Sequence, residues 1–132
     1  MKLPKKRIKE VYIPNDPDKG VIIIRNLSME EEAQIESKFL SIIANGEVSF
    51  TNYAERTKTF AIACLEGWRN LKDEDGKDLE FNSKNVELAS AYSIITMKDG
   101  RQQRKRFFEW VDEERELFSK EVIDEENKAQ GN

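Results

Sequence analysis

Apolar residues in this chain fall into short blocks with two rhythms. Ile8 to Pro14, IKEVYIP, is rich in β-branched and aromatic residues and predicts a strand. Val21 to Arg25, VIIIR, is apolar at consecutive positions and predicts a strand covered on both faces. Between them NDPDKG, Asn15 to Gly20, is dense in turn formers. The two strands are therefore expected to form a hairpin with a long turn. An isolated hairpin is marginal in water, so helices must cover this one.

Helical spacing dominates the remainder. Ser28 with Glu31 three residues on fits a capping box. That helix is expected to run to about Ile43, with Ala33, Phe39, Ile42 and Ile43 among its apolar positions and Asn45-Gly46 as its stop. Glu47 to Phe50 is compatible with a short strand. A second helix is expected from about Asn52 to Trp68, because Tyr53, Thr57, Phe60, Ala61, Cys64, Leu65 and Trp68 recur every three or four residues. Asn82 or Ser83 caps a third helix that carries Val86, Ala89, Ile94 and Tyr92 inward. MKDGR, Met97 to Arg101, breaks the chain. A fourth helix follows from Gln103 to about Ile123, with Phe107, Trp110, Val111, Phe118 and Val122 on one side and Phe108 and Leu117 widening the stripe. The expected fold class is α+β: one small domain in which an N-terminal β-hairpin packs with three to four α-helices. Trp68, Phe81, Phe60 and Phe39 are its expected core.

Composition adds an asymmetry of charge. Of 132 residues, 38% are apolar and 36% charged, enough for one modest core with long solvated faces. The net charge is only −4, yet Lys2, Lys5, Lys6, Arg7 and Lys9 crowd the start while the chain from Glu109 onward is mostly acidic. The expected division is a basic arm over 1–9, a folded domain over 10–123 and an acidic disordered tail over 124–132. Cys64 is the one cysteine, so no intrachain disulfide forms and an intracellular life is favoured. The basic N-terminus has no apolar stretch behind it, and the longest apolar run, Val21 to Ile24, is far too short for a bilayer. A soluble cytoplasmic protein with no membrane partner is expected.

Several chemistries lack their residues. There is no histidine, which removes the commonest general base and metal ligand. One cysteine cannot build a thiolate zinc site, and neither a P-loop nor a GxGxxG stretch is present. Gly67 to Asn82, GWRNLKDEDGKDLEFN, invites a calcium reading. Setting Gly76 at position 6 of an EF-hand loop puts Asp73 and Asp75 at positions 3 and 5, but Leu71 and Asn82 at 1 and 12, where carboxylates are needed. The plainer expectation is a hairpin-like turn at Asp75-Gly76, with Leu71, Leu79 and Phe81 folded back beside Trp68. The acidic runs Asp112 to Arg115 and Val122 to Glu126 read as solvated helix faces. No catalytic residue, metal site or cofactor is expected.

Two stretches are candidate contact surfaces. RQQRKR supplies Arg101, Arg104, Lys105 and Arg106 for phosphates, with Phe107 and Phe108 close by for stacking. The alternative is a basic, exposed first helical turn, poorly matched to the helix dipole, which an acidic surface such as Glu113 and Glu114 of a neighbour would offset. Phe107, Trp110, Val111 and Phe118 form either core or a partner-binding face, since large aromatics are hard to bury fully in a chain this small.

The order of motifs resembles a known set of proteins. Gly67-Trp68, the acidic turn Asp73 to Gly76, Leu79-Glu80-Phe81 and the cap Asn82-Ser83 follow a strand containing YIP, an Asp-Pro turn, VIIIRNLS and an acidic helix. This series, over roughly Val11 to Tyr92, resembles the small tail assembly chaperones encoded by tailed bacteriophages and prophages. Glu80 stands where many members carry proline, and nothing after Tyr92 follows the pattern. The resemblance implies a non-enzymatic role in the bacterial cytoplasm. Such proteins coat the long tape-measure protein before the tail tube polymerises, and are then shed. The implied partners are the tape-measure protein and the tail-tube protein, and homo-oligomerisation is left open; Phe107, Trp110, Val111 and Phe118 lie beyond the matching stretch and are expected as partner anchors from their own aromatic stripe. The competing expectations are a small structural or connector protein that stays in the particle, and a nucleic-acid-binding regulator using Arg101, Arg104, Lys105 and Arg106.

Overall fold

The computed structural model describes the backbone of residues 7–42, 46, 48–50 and 52–130. Lys2, Lys5 and Lys6 of the basic arm, with Ile43, Asn45 and Glu47, lie outside the described residues, as does the side chain of Ile42. The fold is α+β, with four helices among the described residues and an N-terminal β-hairpin.

β1 (Ile8–Tyr12) and β2 (Val21–Arg25) pair antiparallel as the sequence predicts. The turn between them is closed from both sides. Ile13 N–H donates to Gly20 O at 2.8 Å, and the Asp16 carboxylate accepts from Gly20 N–H at 2.7 Å. Ser28 then caps α1 (Met29–Phe39) in the expected capping box. The helix stops earlier than the periodicity suggests. Leu40–Ile42 forms β3, which pairs with β4 (Val48–Phe50), so the ambiguous 47–50 stretch contains a strand.

The second correction concerns Trp68. α2 (Tyr53–Cys64) ends at Cys64, and Leu65–Arg69 is an extended strand, β5, antiparallel to β2. The sheet order is β1-β2-β5, which places the apolar VIIIR strand at the centre. A central strand needs neighbours on both edges, and the hairpin supplies only one. Gly67, unfavourable inside a helix by about 1 kcal/mol relative to alanine, sits instead opposite Ile23 in the sheet. Register places Val11, Ile22, Ile24, Leu65 and Trp68 on one face, the face that joins the core. The opposite face is only partly covered: Val21 is buried, Ile23 and Arg25 are half-buried, and Ile8 and Tyr12 are exposed.

α3 (Ser83–Ala89) starts at the predicted cap, where the Asn82 side chain accepts from Asn85 N–H at 2.8 Å. It buries Val86 and Ala89 but does not reach Tyr92 or Ile94. Ile94 lies instead on β6 (Ser93–Lys98), which pairs along its whole length with β7 (Arg101–Arg106). RQQRKR is thus a strand and not a first helical turn. Asp99 and Gly100 both take positive φ, 52° and 76°, the geometry of a two-residue hairpin turn whose twist suits the paired strands. The dipole mismatch expected for a basic helix start does not arise.

α4 (Phe107–Gln130) begins where β7 ends and continues well beyond Ile123, so residues 124–130 are helical and not a disordered tail. The opposed charges of the two ends meet here. Lys9 reaches Glu121 at 2.7 Å and Arg7 pairs with Glu125, tying the first strand to the last helix.

Candidate functional site

The loop from Gly67 to Asn82 is a folded turn. Asp73 accepts the backbone N–H groups of Asp75 and Lys77, each at 2.9 Å, and Gly76 takes φ 78°. Lys72 bridges to Asp78 across the stem, in backbone pairing and by its side chain. Trp68 Nε1–H donates to Leu79 O at 2.8 Å, and its ring meets Phe81 edge-on at 5.0 Å. Leu71 is buried and Leu79 partly so, whereas Phe81, expected in the core, keeps 37% of its surface exposed because it covers Trp68 from outside; Glu74 and Asp75 face water. The Asp73 carboxylate closes the turn through backbone hydrogen bonds. Among the described residues no group of three or more carboxylates or thiolates is placed to hold a metal ion.

The aromatic stripe of α4 is core. Phe107 and Val111 are 0% exposed, Trp110 2% and Phe118 7%. Phe107 packs edge-on against Trp68 at 6.5 Å and lies 6.4 Å from Trp110. α4 packs against α2, whose buried residues are Thr57, Phe60, Ala61 and Cys64. A side chain sealed to this degree has no surface to offer while the domain is folded. The four residues expected to form a partner-binding face, Phe107, Trp110, Val111 and Phe118, are instead buried in the folded domain, where Phe107 meets Trp68 of β5 and α4 packs on α2.

Where α1, α2 and α4 meet, charge is buried deliberately. Arg115 Nε donates to Asp112 Oδ1 at 2.7 Å, with both side chains only 7% exposed, and Arg115 also reaches Glu32 at 3.4 Å. The Arg115 guanidinium lies 4.1 Å from the Phe60 ring centroid, and Arg56, which pairs with Glu36, lies over the same ring at 4.9 Å. Burial raises the Asp112 carboxyl above its usual range, against the pull of Arg115. Every charge here has a partner, as a structural cluster requires. The acidic run at Asp112 is thus partly internal and not wholly a solvated face. Cys64 is buried, and desolvation pushes its thiol up to about 12, which leaves it inert as a nucleophile at neutral pH.

The basic run takes a different position from the stripe. Arg101, Arg104 and Arg106 are exposed along β7, and Lys105 is half-buried and paired with Glu113 of the same chain. The ribbon is rooted by Ile94 in the core, by Phe107 N–H donating to Tyr92 O at 3.0 Å, and by Asn15 Nδ2 donating to Ile95 O at 2.9 Å. Phe107 and Phe108 are buried and so are not positioned to stack on bases beside the arginines. Sequence reasoning passed over Ile95 and Met97, which are 37% and 60% exposed on β6. The signal that locates them is Asp99-Gly100 between two six-residue runs, a hairpin dipeptide of the kind recognised at Asp75-Gly76.

A cleft beside the ribbon root is lined by Asp16, Asp18, Lys72 and Tyr92. Its lysine pairs with Asp78, and the Tyr92 hydroxyl donates to Lys72 O at 3.1 Å. No helix among the described residues is long and apolar enough to cross a membrane. Comparison with protein-family models, with curated proteins and with solved structures finds no match to this chain.

Proposed function

We propose that this chain is a non-enzymatic tail-assembly chaperone of a tailed bacteriophage or prophage, acting in the host cytoplasm on the tape-measure protein during tail morphogenesis. The observation that carries the reading is that the residues of the resemblance form one structural unit. Trp68 hydrogen-bonds Leu79 and meets the Phe81 ring across the stem of the self-closed Asp73–Gly76 turn, and the Asn82 cap follows directly on Phe81. The N-terminal half of the pattern likewise forms a hairpin followed by a capped helix. The physical logic is that a tape-measure protein is long and helical and exposes apolar stripes. A small domain with a heavily charged surface keeps such a partner soluble when several copies bind it weakly.

Co-expression with the tape-measure protein tests this. Expected is a soluble complex holding many copies of this chain per partner. A partner that stays insoluble, with nothing co-purifying, refutes it. Mass spectrometry of purified virions separates the chaperone from a small connector protein, because only the connector remains in the particle.

A further inference from the structure

The chain has eight arginines, Arg7, Arg25, Arg56, Arg69, Arg101, Arg104, Arg106 and Arg115. Five pair with carboxylates: Arg7 with Glu125, Arg25 with Glu31, Arg56 with Glu36, Arg69 with Glu10 and Arg115 with Asp112. The three on β7 have no ion pair among the described residues, although this is an acidic protein. Over Ser93 to Arg106 the ribbon carries Lys98, Arg101, Arg104, Lys105 and Arg106 against the single acid Asp99. Positive charge left uncompensated at one place in a net-negative chain marks a surface that attracts an anionic partner.

Register shows what kind. Residues opposite each other in an antiparallel pair share a face. Ser93, Ile95 and Met97 oppose Arg106, Arg104 and Gln102, so two exposed apolar side chains lie among two unpaired guanidiniums. The other face holds Ile94, Thr96 and Lys98 opposite Lys105, Gln103 and Arg101, and is anchored by buried Ile94 and the Lys105–Glu113 pair. A phosphate backbone uses the arginines but has no use for Ile95 and Met97. A protein segment with alternating apolar and acidic side chains uses both. Arginine is suited to grip carboxylates in two-point fashion, and methionine adapts to irregular apolar surfaces.

We propose that the outward face of the β6–β7 ribbon, formed by Ile95, Met97, Gln102, Arg104 and Arg106, is a docking surface for an acidic amphipathic protein segment. The apolar pair seats the segment's apolar stripe, and Arg104 and Arg106 pair with its flanking carboxylates. The proposal rests on the chaperone reading for the identity of the natural partner, but not for the surface itself.

The test uses the full chain and a fluorescently labelled synthetic peptide with leucine and glutamate in amphipathic helical spacing. Controls are its twin with lysine for glutamate and a short duplex DNA. Expected is saturable binding of the glutamate peptide and none of the lysine twin. Arg104→Glu with Arg106→Glu should weaken binding by at least about tenfold, roughly one charge-assisted hydrogen bond's worth. Met97→Asp should weaken it by a similar factor, and Lys128→Glu on the distant end of α4 should leave it unchanged. Circular dichroism of each variant should match the parent, since all these side chains are exposed. Peptide binding indifferent to the arginine and methionine variants overturns the proposal. So does duplex DNA binding that falls steeply with salt, needs the arginines and ignores Met97→Asp, which would mark a phosphate-binding ribbon. If the peptide binds as expected but the tape-measure protein does not co-purify, the surface stands and the chaperone reading falls.

Discussion

Replacing Trp110 and Phe118 by alanine separates a core stripe from a docking stripe. Trp110 is 2% exposed and Phe118 7%, so each loses nearly all its buried surface. A buried aromatic removes about 150–250 Å² from water, which at about 25 cal/mol per Å² is roughly 4–6 kcal/mol. Measured aromatic-to-alanine changes in cores cost about 3–5 kcal/mol. The two positions lie eight residues apart on α4, about 12 Å along the axis, so their effects should nearly add. The double variant should therefore lose about 6–10 kcal/mol, comparable to the whole stability of a domain, about 5–15 kcal/mol. Urea unfolding followed by circular dichroism reads each single variant, and the double variant is expected to be largely unfolded in water. Leu117→Ala is the internal control, because that neighbour is 52% exposed and should change stability by no more than about 0.5 kcal/mol. If both aromatic single variants stay within about 1 kcal/mol of the parent, the stripe is not core and is free to serve as a contact face.

Three further outcomes follow from local geometry. A Cβ on Gly20 would sit 2.6 Å from Asp16 Oδ2 and 2.9 Å from Ile13 Cδ1, so Gly20→Ala should cost about 1–3 kcal/mol by chemical denaturation and loosen the first hairpin. The buried Thr57 hydroxyl has no hydrogen-bond partner among the described residues, so Thr57→Val should raise the unfolding midpoint, by about 1 kcal/mol in stability; a destabilised variant would show that the hydroxyl is satisfied. The Arg25 guanidinium, with lesser help from the Ser28 cap, holds the Glu31 carboxyl down to about 2 from an ordinary 4.5. Its folded value is depressed, so its contribution is complete above about pH 4.5 and is lost as pH falls toward 2. Thermal melts should show the parent losing more stability over that window than Glu31→Gln, and identical pH profiles would refute the assignment.

Local signals determined much of this fold. The first hairpin, the Ser28 capping box, the Asn82 cap and the Asp75-Gly76 turn each depend on residues within a few positions of one another, and each appears where the sequence places it. Trp68 beside Phe81 was legible for the same reason, since one short turn joins them.

What only tertiary structure decided involves distant partners. Leu65 to Trp68 continues the helical rhythm of α2, yet it becomes a strand because β2, 41 to 48 residues earlier across the paired positions, is a central strand with an empty edge. RQQRKR has no apolar alternation, and it becomes a strand because Ser93 to Lys98 folds back on it through the Asp99-Gly100 turn. That change of state moved the candidate site. The α4 aromatics are buried, Phe107 against Trp68 of β5 and the helix against α2, while Arg104 and Arg106 stand beside Ile95 and Met97 in solvent. Composition alone determines that basic and apolar residues are present, and only the pairing of β6 with β7 decides that they share one open face.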